Sequence, residues 1–94
     1  MANISTIRIP ERFDFSFHRK FTETTEIALK DDDVSLISLD FSRVSYLDSA
    51  ALGMIVYLHK KSVSAGKMIN IVSAGGTAAE ILGVANINKL IEVK

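Results

Sequence analysis

Residues 44–53 read VSYLDSAALG, a short apolar run that breaks at Asp48-Ser49 and opens into a helix-forming sequence. The first N–H groups of an α-helix have no partner within it, and the helix dipole is positive at the same end. A phosphate on Ser49 would meet these donors and would add a charge of about −1.5 to −2 at neutral pH. Asp-Ser before an apolar helix is also a common N-cap. The stretch therefore predicts a helix that begins at Ser49, whose first residues act as a cap or as a phosphoacceptor site.

The composition is that of one small folded domain. The chain has 94 residues, of which 48% are hydrophobic, and we expect a single domain over residues 1–94. Eleven basic residues balance eleven acidic ones, which argues against a nucleic-acid partner. The absence of cysteine excludes disulfides and thiolate chemistry. No apolar run approaches the roughly 20 residues that span a bilayer, so we expect a cytoplasmic protein without membrane insertion.

The hydrophobic periodicity predicts an α/β fold. Residues 4–9 alternate and stop at Pro10, as expected of an edge strand, and helical spacing follows from Ser16 to the aspartates at 31–33. Residues 34–39 form a central strand, residues 49–65 a helix that Gly66 terminates, and residues 68–72 a third strand. A short helix from Thr77 and a terminal strand near residues 91–93 complete the order. The strand–helix–strand steps imply parallel pairing within a mixed sheet of about four strands, with helices mainly on one side.

No residue pattern supplies the parts of an enzyme. His18 and His59 occur in different predicted helices without a carboxylate at ligand spacing, and the aspartates at 31–33 lack the alternating ligands of a calcium loop. Residues 75–77 (GGT) lack the Lys-Ser/Thr ending of a P-loop. Ser49 is not part of a Gly-x-Ser-x-Gly motif. We expect no catalytic activity, no metal site and no cofactor.

The predicted helix after Ser49 carries more apolar residues than one buried face needs. If three of them face the sheet, others spread over its outer side and form an apolar patch beside an exposed hydroxyl, which is typical of a protein-docking surface. The alternative is that the first helix or the C-terminal tail covers the patch. The sheet-facing residues are Leu52, Ile55 and Val56, and the outer ones are Met54 and Tyr57 together with Leu58 and Leu47.

The order of elements and the Asp-Ser helix start together resemble the STAS domain, the family of the bacterial anti-sigma factor antagonists. Phe13-Asp14 is similar to the acidic residue that ends an early strand in that family. Residues 39–44 (LDFSRV) resemble the strand and turn that precede the family's phosphorylation segment. Residues 46–53 resemble its phosphorylation segment. The order of the family's remaining helices and strands is matched by residues 66–71, residues 81–84 and Ile91. Two departures are Ala50-Ala51, where the family usually has Ser or Thr and then Gly, and the lack of one early strand.

The resemblance implies a phosphorylation-controlled partner-switching regulator in signal transduction and transcription regulation. The unphosphorylated chain would bind a serine kinase or anti-sigma factor, and phosphorylation of Ser49 would release it. A PP2C-type phosphatase would reverse the change; the form Asp-Ser-x-Ala-Leu-Gly-Met resembles members that work with response regulators carrying phosphatase or kinase modules. The alternative is a structural STAS subunit of a membrane-transport complex that is never phosphorylated. The residues expected to bind the partner are Asp14, Leu47, Asp48, Ala50, Met54 and Tyr57.

Overall fold

The computed structural model describes residues 3–94. Its strands are β1 (Asn3–Arg8), β2 (Arg12–Phe13), β3 (Val34–Asp40), β4 (Tyr46–Leu47), β5 (Met68–Val72) and β6 (Glu92–Val93). Its α-helices are α1 (His18–Lys30), α2 (Ser49–Ser64) and α3 (Gly76–Val84), and two 3-10 helices cover Phe15–Phe17 and Ile87–Lys89.

The main sheet has four strands in the order β1-β3-β5-β6. All three neighbouring pairs are parallel, with Ile7 opposite Leu39 and Leu39 opposite Ile71. The predicted edge position of β1 and central position of β3 are confirmed, as is the parallel pairing across the strand–helix–strand steps. The expectation of a mixed sheet is wrong, because each strand of this sheet is joined to the next by a helical crossover that returns it in the same direction.

One face of the main sheet forms the core. Ile7, Ile37, Leu39, Ile69 and Ile71 point to this face and are almost fully buried. Burying one such side chain stabilises the fold by about 1.5–3 kcal/mol. On the opposite face Ile4 and Met68 are 64% and 72% exposed. The helices therefore cover mainly one side, as predicted from the sequence.

A second, two-stranded sheet lies in two segments to which the hydrophobic periodicity assigned no strand. Here β2 pairs in parallel with β4, and Phe13 lies opposite Leu47. Phe13 is fully buried and its ring contacts those of Phe17, Phe21 and Phe41. This small sheet is anchored by aromatic packing, and it sets the starting points of α1 and α2 side by side.

The C-terminal end of α2 is fixed by a Schellman motif. Gly66 adopts a left-handed conformation with φ of 72°. The Gly66 N–H donates to the Val63 carbonyl at 3.1 Å, and the Lys67 N–H donates to the Ser62 carbonyl at 2.8 Å. Because an L side chain is strained at this φ, glycine is the residue that ends the helix most easily. The predicted helix stop is confirmed.

The Lys67 side chain joins the end of α1 to the start of β3. Its ammonium group donates to the carbonyls of Ala28, Asp31 and Val34, with Nζ–O distances of 3.3 Å to Ala28 and 2.8 Å to Val34. The last carbonyls of a helix have no intrahelical donor. Lys67 therefore caps α1 from another part of the chain.

Candidate phosphoacceptor site and docking groove

The structure places Asp48, and not Ser49, in the capping position at the start of α2. Asp48 is the N-cap of α2: its backbone is extended, and its carboxylate accepts a hydrogen bond from the Ala51 N–H at 2.8 Å. Ser49 is the first residue of α2 and is exposed. The prediction that Ser49 lies exposed in the first turn of a helix ending near Ala65 is confirmed. Because Asp48 caps the helix, a need for an N-cap does not explain why position 49 is serine.

Asp14 lies beside Asp48 because the small sheet aligns the ends of its two strands. Asp14 follows β2 as Asp48 follows β4, and the Asp48 N–H donates to the Phe13 carbonyl at 3.3 Å. The Ser16 hydroxyl and N–H donate to the Asp14 carboxylate, which also lies 3.5 Å from Arg12 Nε. The Ser16 hydroxyl, followed by the Ser16 N–H and Arg12, lowers the pKa of Asp14. The start of α2 therefore carries an acidic rim.

An apolar groove of about 280 Å³ runs between α1 and α2, starting next to Ser49. Both helices lead away from the small sheet, and the ion pair of Glu26 with Lys61 joins their later turns, so they run in the same direction. The floor of the groove is formed by Phe21, Met54 and Leu58, its rims by Phe15 and Tyr57, its Ser49 end by Ala50 and Gly53, and its far end by Glu26 and Lys61.

The rims expose unusually large aromatic surfaces for so small a domain. Phe15 is 69% exposed and Tyr57 is 62% exposed. The Phe15 ring stacks on His18 with a centroid distance of 5.6 Å, and Lys61 Nζ lies 5.3 Å from the centroid of the Tyr57 ring. Exposed aromatic side chains beside an apolar groove are typical of protein-binding surfaces.

Five of the six expected docking residues lie at the surface or in the groove, and the exception is Leu47. Asp14 and Asp48 lie on the acidic rim, Ala50 lines the groove, and Tyr57 forms a rim. Met54 is only 7% exposed and contributes to the floor rather than to an open patch.

The expectation that Leu47 and Leu58 lie on the outer side of α2 is wrong, since each is 2% exposed. Leu47 belongs to β4 and packs with Phe13, and α1 covers the face of α2 that bears Leu58. The inward face of α2 includes the fully buried Ala51 and Ile55, whereas Leu52 is half-buried. The first helix thus covers part of the patch, which the sequence analysis held open as the alternative.

Sequence reasoning missed the contribution of α1 to this surface. Phe21 and Glu26 were visible in the helical pattern, but nothing local placed them against α2. The carboxylate of Glu26 forms an ion pair with Lys61. This contact lowers the pKa of Glu26 and raises that of Lys61, chiefly through the hydrogen bond between the two groups. The pair closes the far end of the groove.

Within residues 3–94 the structure brings together no group of three or more side chains that could hold a metal ion. His18 is exposed on α1 and stacks on Phe15, and His59 is half-buried on α2. None of the helices in this part of the chain is both long and apolar enough to cross a membrane.

Comparison with known proteins assigns the chain to one family. The sequence matches the family model of the STAS domain over residues 2–94. The chain belongs to the STAS domain family. A STAS-domain-containing protein of Pseudomonas aeruginosa is 29% identical over 89 residues, which cover 94% of this chain and 85% of that protein. The resemblance to the STAS domain, drawn from the order of elements and the Asp-Ser helix start, is therefore confirmed at the level of the family.

Solved structures of other proteins show the same fold at low sequence identity. A sulfate transporter family protein from Wolinella succinogenes superposes with a TM-score of 0.84 at 11% identity, covering 96% of this chain and 75% of that one. A putative anti-sigma factor antagonist from Thermotoga maritima gives a TM-score of 0.79 at 22% identity, covering 94% of this chain and 77% of that one. The fold thus occurs both in a sulfate transporter family protein and in a protein described as an anti-sigma factor antagonist.

Proposed function

We propose that this STAS protein is a partner-switching regulator whose Ser49 is phosphorylated. The observation that carries the proposal is the exposed Ser49 in the first turn of α2, next to an apolar groove and relieved of capping by Asp48. An accessible hydroxyl at a helix start combines access for a kinase with partial positive charge that tolerates a phosphate.

In the unphosphorylated state the chain binds a serine kinase or anti-sigma factor through the groove and the acidic rim. Phosphorylation adds a charge of about −1.5 to −2 beside Asp14 and Asp48, at the edge of the contact area. When the partner binds, this charged group must be desolvated and accommodated in a contact that fits a bare hydroxyl, which costs several kcal/mol, on the order of the effective desolvation penalty of a buried ion. A loss of about 2.7 kcal/mol lowers affinity 100-fold. One phosphate at this position can therefore release the partner.

The chain acts as a substrate and a binding surface, without catalytic activity of its own. The kinase supplies ATP and Mg²⁺, and a PP2C-type phosphatase removes the phosphate from Ser49. The Asp48 carboxylate holds the first turn of α2 through the Ala51 N–H, and this keeps the neighbouring hydroxyl in a fixed position.

The proposal is tested by incubating the purified chain with Mg-ATP and serine kinases encoded in the same genome. One phosphate should be added per chain, and peptide mapping should place it on Ser49. Ser49→Ala should abolish the modification. Ser45→Ala is the matched control, because Ser45 is also exposed and lies just before β4, and this variant should be modified at the wild-type rate. A phosphate on another residue, or none with any of these kinases, contradicts the proposal.

A second candidate is a structural STAS subunit of a membrane-transport complex. The similarity to a sulfate transporter family fold and the Ala50-Ala51 sequence after Ser49 support it. In that case the groove binds a transporter component permanently. Ser49→Asp distinguishes the two functions: it should weaken binding to a switching partner, but leave a permanent contact that does not involve Ser49 unchanged.

A further inference from the structure

Gly53 has no role inside the chain that requires glycine. It lies within α2, is exposed, and lines the groove about one turn after Ser49. A Cβ added at Gly53 would meet no atom of the described residues within 4 Å, and the two glycines with positive φ are Gly66 and Gly76. Glycine in a helix interior destabilises a protein relative to alanine. The chain therefore keeps a destabilising residue at a position where its own fold would accept a side chain.

A glycine of this kind has a purpose if another molecule approaches the helix backbone there. Ala50 lies one turn before Gly53 on the same side of the groove. At its Ser49 end, the groove-facing surface of α2 therefore carries only a methyl group and exposed helix backbone. Farther along, Tyr57 rises from α2, whereas Phe15, the residue after Asp14, lies across the groove at the Ser49 end. Next to Ser49 the α2 side of the groove therefore carries only small residues, and Tyr57 bounds this side farther along.

The dimensions of the groove fit a helix. Its lining on α2 extends from Ala50 to Lys61, which at a rise of 1.5 Å per residue corresponds to about 16 Å, or three turns. Two helices pack side by side at interaxial distances of about 8–10 Å, and small residues at the contact allow the closest approach. The apolar floor requires an occupant with a row of apolar side chains at helical spacing.

The charges at the two ends of the groove differ. At the far end Glu26 and Lys61 neutralise each other through their ion pair. At the Ser49 end Asp14 and Asp48 form the acidic rim, and only Asp14 contacts a cationic side chain, that of the exposed Arg12. The occupant is therefore complementary if it carries a basic side chain at the end that lies next to Ser49.

We propose that the serine kinase partner inserts an amphipathic α-helix of about three turns between α1 and α2. The helix backbone passes closest to Gly53, its apolar side chains lie between Phe15 and Tyr57, and a basic side chain faces the acidic rim. This proposal rests on the partner-switching function and names the contact through which it acts. A phosphate on Ser49 would then stand directly beside the inserted helix, and its bulk would prevent the close approach of that helix at Gly53.

The sharpest test adds a single methyl group by Gly53→Ala, with Gly83→Ala as the matched control. Gly83 is likewise an exposed glycine in a helix, with no atom within 4 Å of an added Cβ. Both variants should be at least as stable as wild type, and Gly53→Ala should raise the melting temperature by about 2–8 °C. Binding is measured by calorimetry with the kinase that phosphorylates Ser49. The Kd should rise at least tenfold for Gly53→Ala and stay within twofold of wild type for Gly83→Ala.

Three further measurements separate the possible failures. In phosphorylation assays Gly53→Ala should raise KM for the chain while kcat stays within twofold, because the hydroxyl itself is untouched. Hydrogen exchange of the kinase in the complex should show protection of a helix; protection confined to a loop or strand contradicts the proposal. Tyr57→Ala should also weaken binding at least tenfold.

The outcome distinguishes this contact from the function on which it rests. If Ser49 is phosphorylated with the same KM in wild type and Gly53→Ala, the helix contact is wrong and the switching function stands. If no kinase modifies Ser49, the switching function fails, and the proposed contact with a kinase fails with it.

Discussion

Replacing Asp48 by alanine separates its capping role from the role of Ser49. The Asp48 carboxylate accepts the Ala51 N–H at 2.8 Å, and this hydrogen bond satisfies one of the unpaired donors at the start of α2. Loss of an N-cap acceptor costs about 0.5–2 kcal/mol, with about 1 kcal/mol typical. For a domain of this size, 1 kcal/mol lowers the melting temperature by about 4–8 °C. Asp48→Asn retains an acceptor of nearly equal capping strength, so it should remain within about 0.5 kcal/mol of wild type.

The assay is urea unfolding followed by circular dichroism at neutral pH, with Ser49→Ala as the comparison. Because Ser49 already lies inside the helix and does not cap it, Ser49→Ala should change the free energy of unfolding by less than about 0.5 kcal/mol. Ser49→Ala and Asp48→Asn should have similar free energies of unfolding, and Asp48→Ala should have the lowest of the three. A Ser49→Ala variant that loses more stability than Asp48→Ala would refute the division of roles between these two residues.

Three other predictions, which use four variants, test the groove and its supports. Glu26→Gln should reduce the loss of unfolding free energy at acid pH. Folding lowers the pKa of Glu26 from 4.5, so the carboxylate stabilises the fold above that pH, and this stabilisation is lost as pH falls through the folded pKa. Urea unfolding from pH 6 to pH 2 measures the difference. Leu58→Ala should lower the free energy of unfolding by about 2–5 kcal/mol, and Tyr57→Ala by less than about 1 kcal/mol, because only the Leu58 side chain is buried. Equal decreases in urea unfolding would contradict the assigned orientation of α2. Lys67→Met should lower the free energy of unfolding by about 1–3 kcal/mol, because it removes charged hydrogen bonds to carbonyls at the end of α1 and the start of β3. An unchanged free energy of unfolding would show that water replaces the ammonium group at these carbonyls.

The main elements could be predicted from the sequence because their signals are local. Pro10 marks the end of the edge strand β1, and Gly66 adopts the left-handed conformation that its position after a long helix predicted. The helix start at Ser49 follows from the change of pattern at Asp48. Each of these signals depends on a few neighbouring residues, so no tertiary information is needed to interpret it.

The small sheet and the walls of the groove could not be predicted in this way. Two residues such as Arg12 and Phe13 carry no periodicity, and their pairing with β4 depends on the aromatic cluster around Phe13. The burial of Leu58 depends on how α2 is rotated against α1, which a helix with apolar residues on several sides does not determine. The exposed Gly53 became informative only when the space around it was known.

The account is tested most directly by measuring how phosphorylation of Ser49 changes the affinity for the partner. The chain is phosphorylated enzymatically, the modification is mapped to Ser49, and the Kd for the kinase is measured by calorimetry for both forms under identical conditions. The account predicts that the phosphorylated form binds at least 100-fold more weakly, which corresponds to about 2.7 kcal/mol. Equal affinities for the two forms, with Ser49 fully phosphorylated, would contradict it.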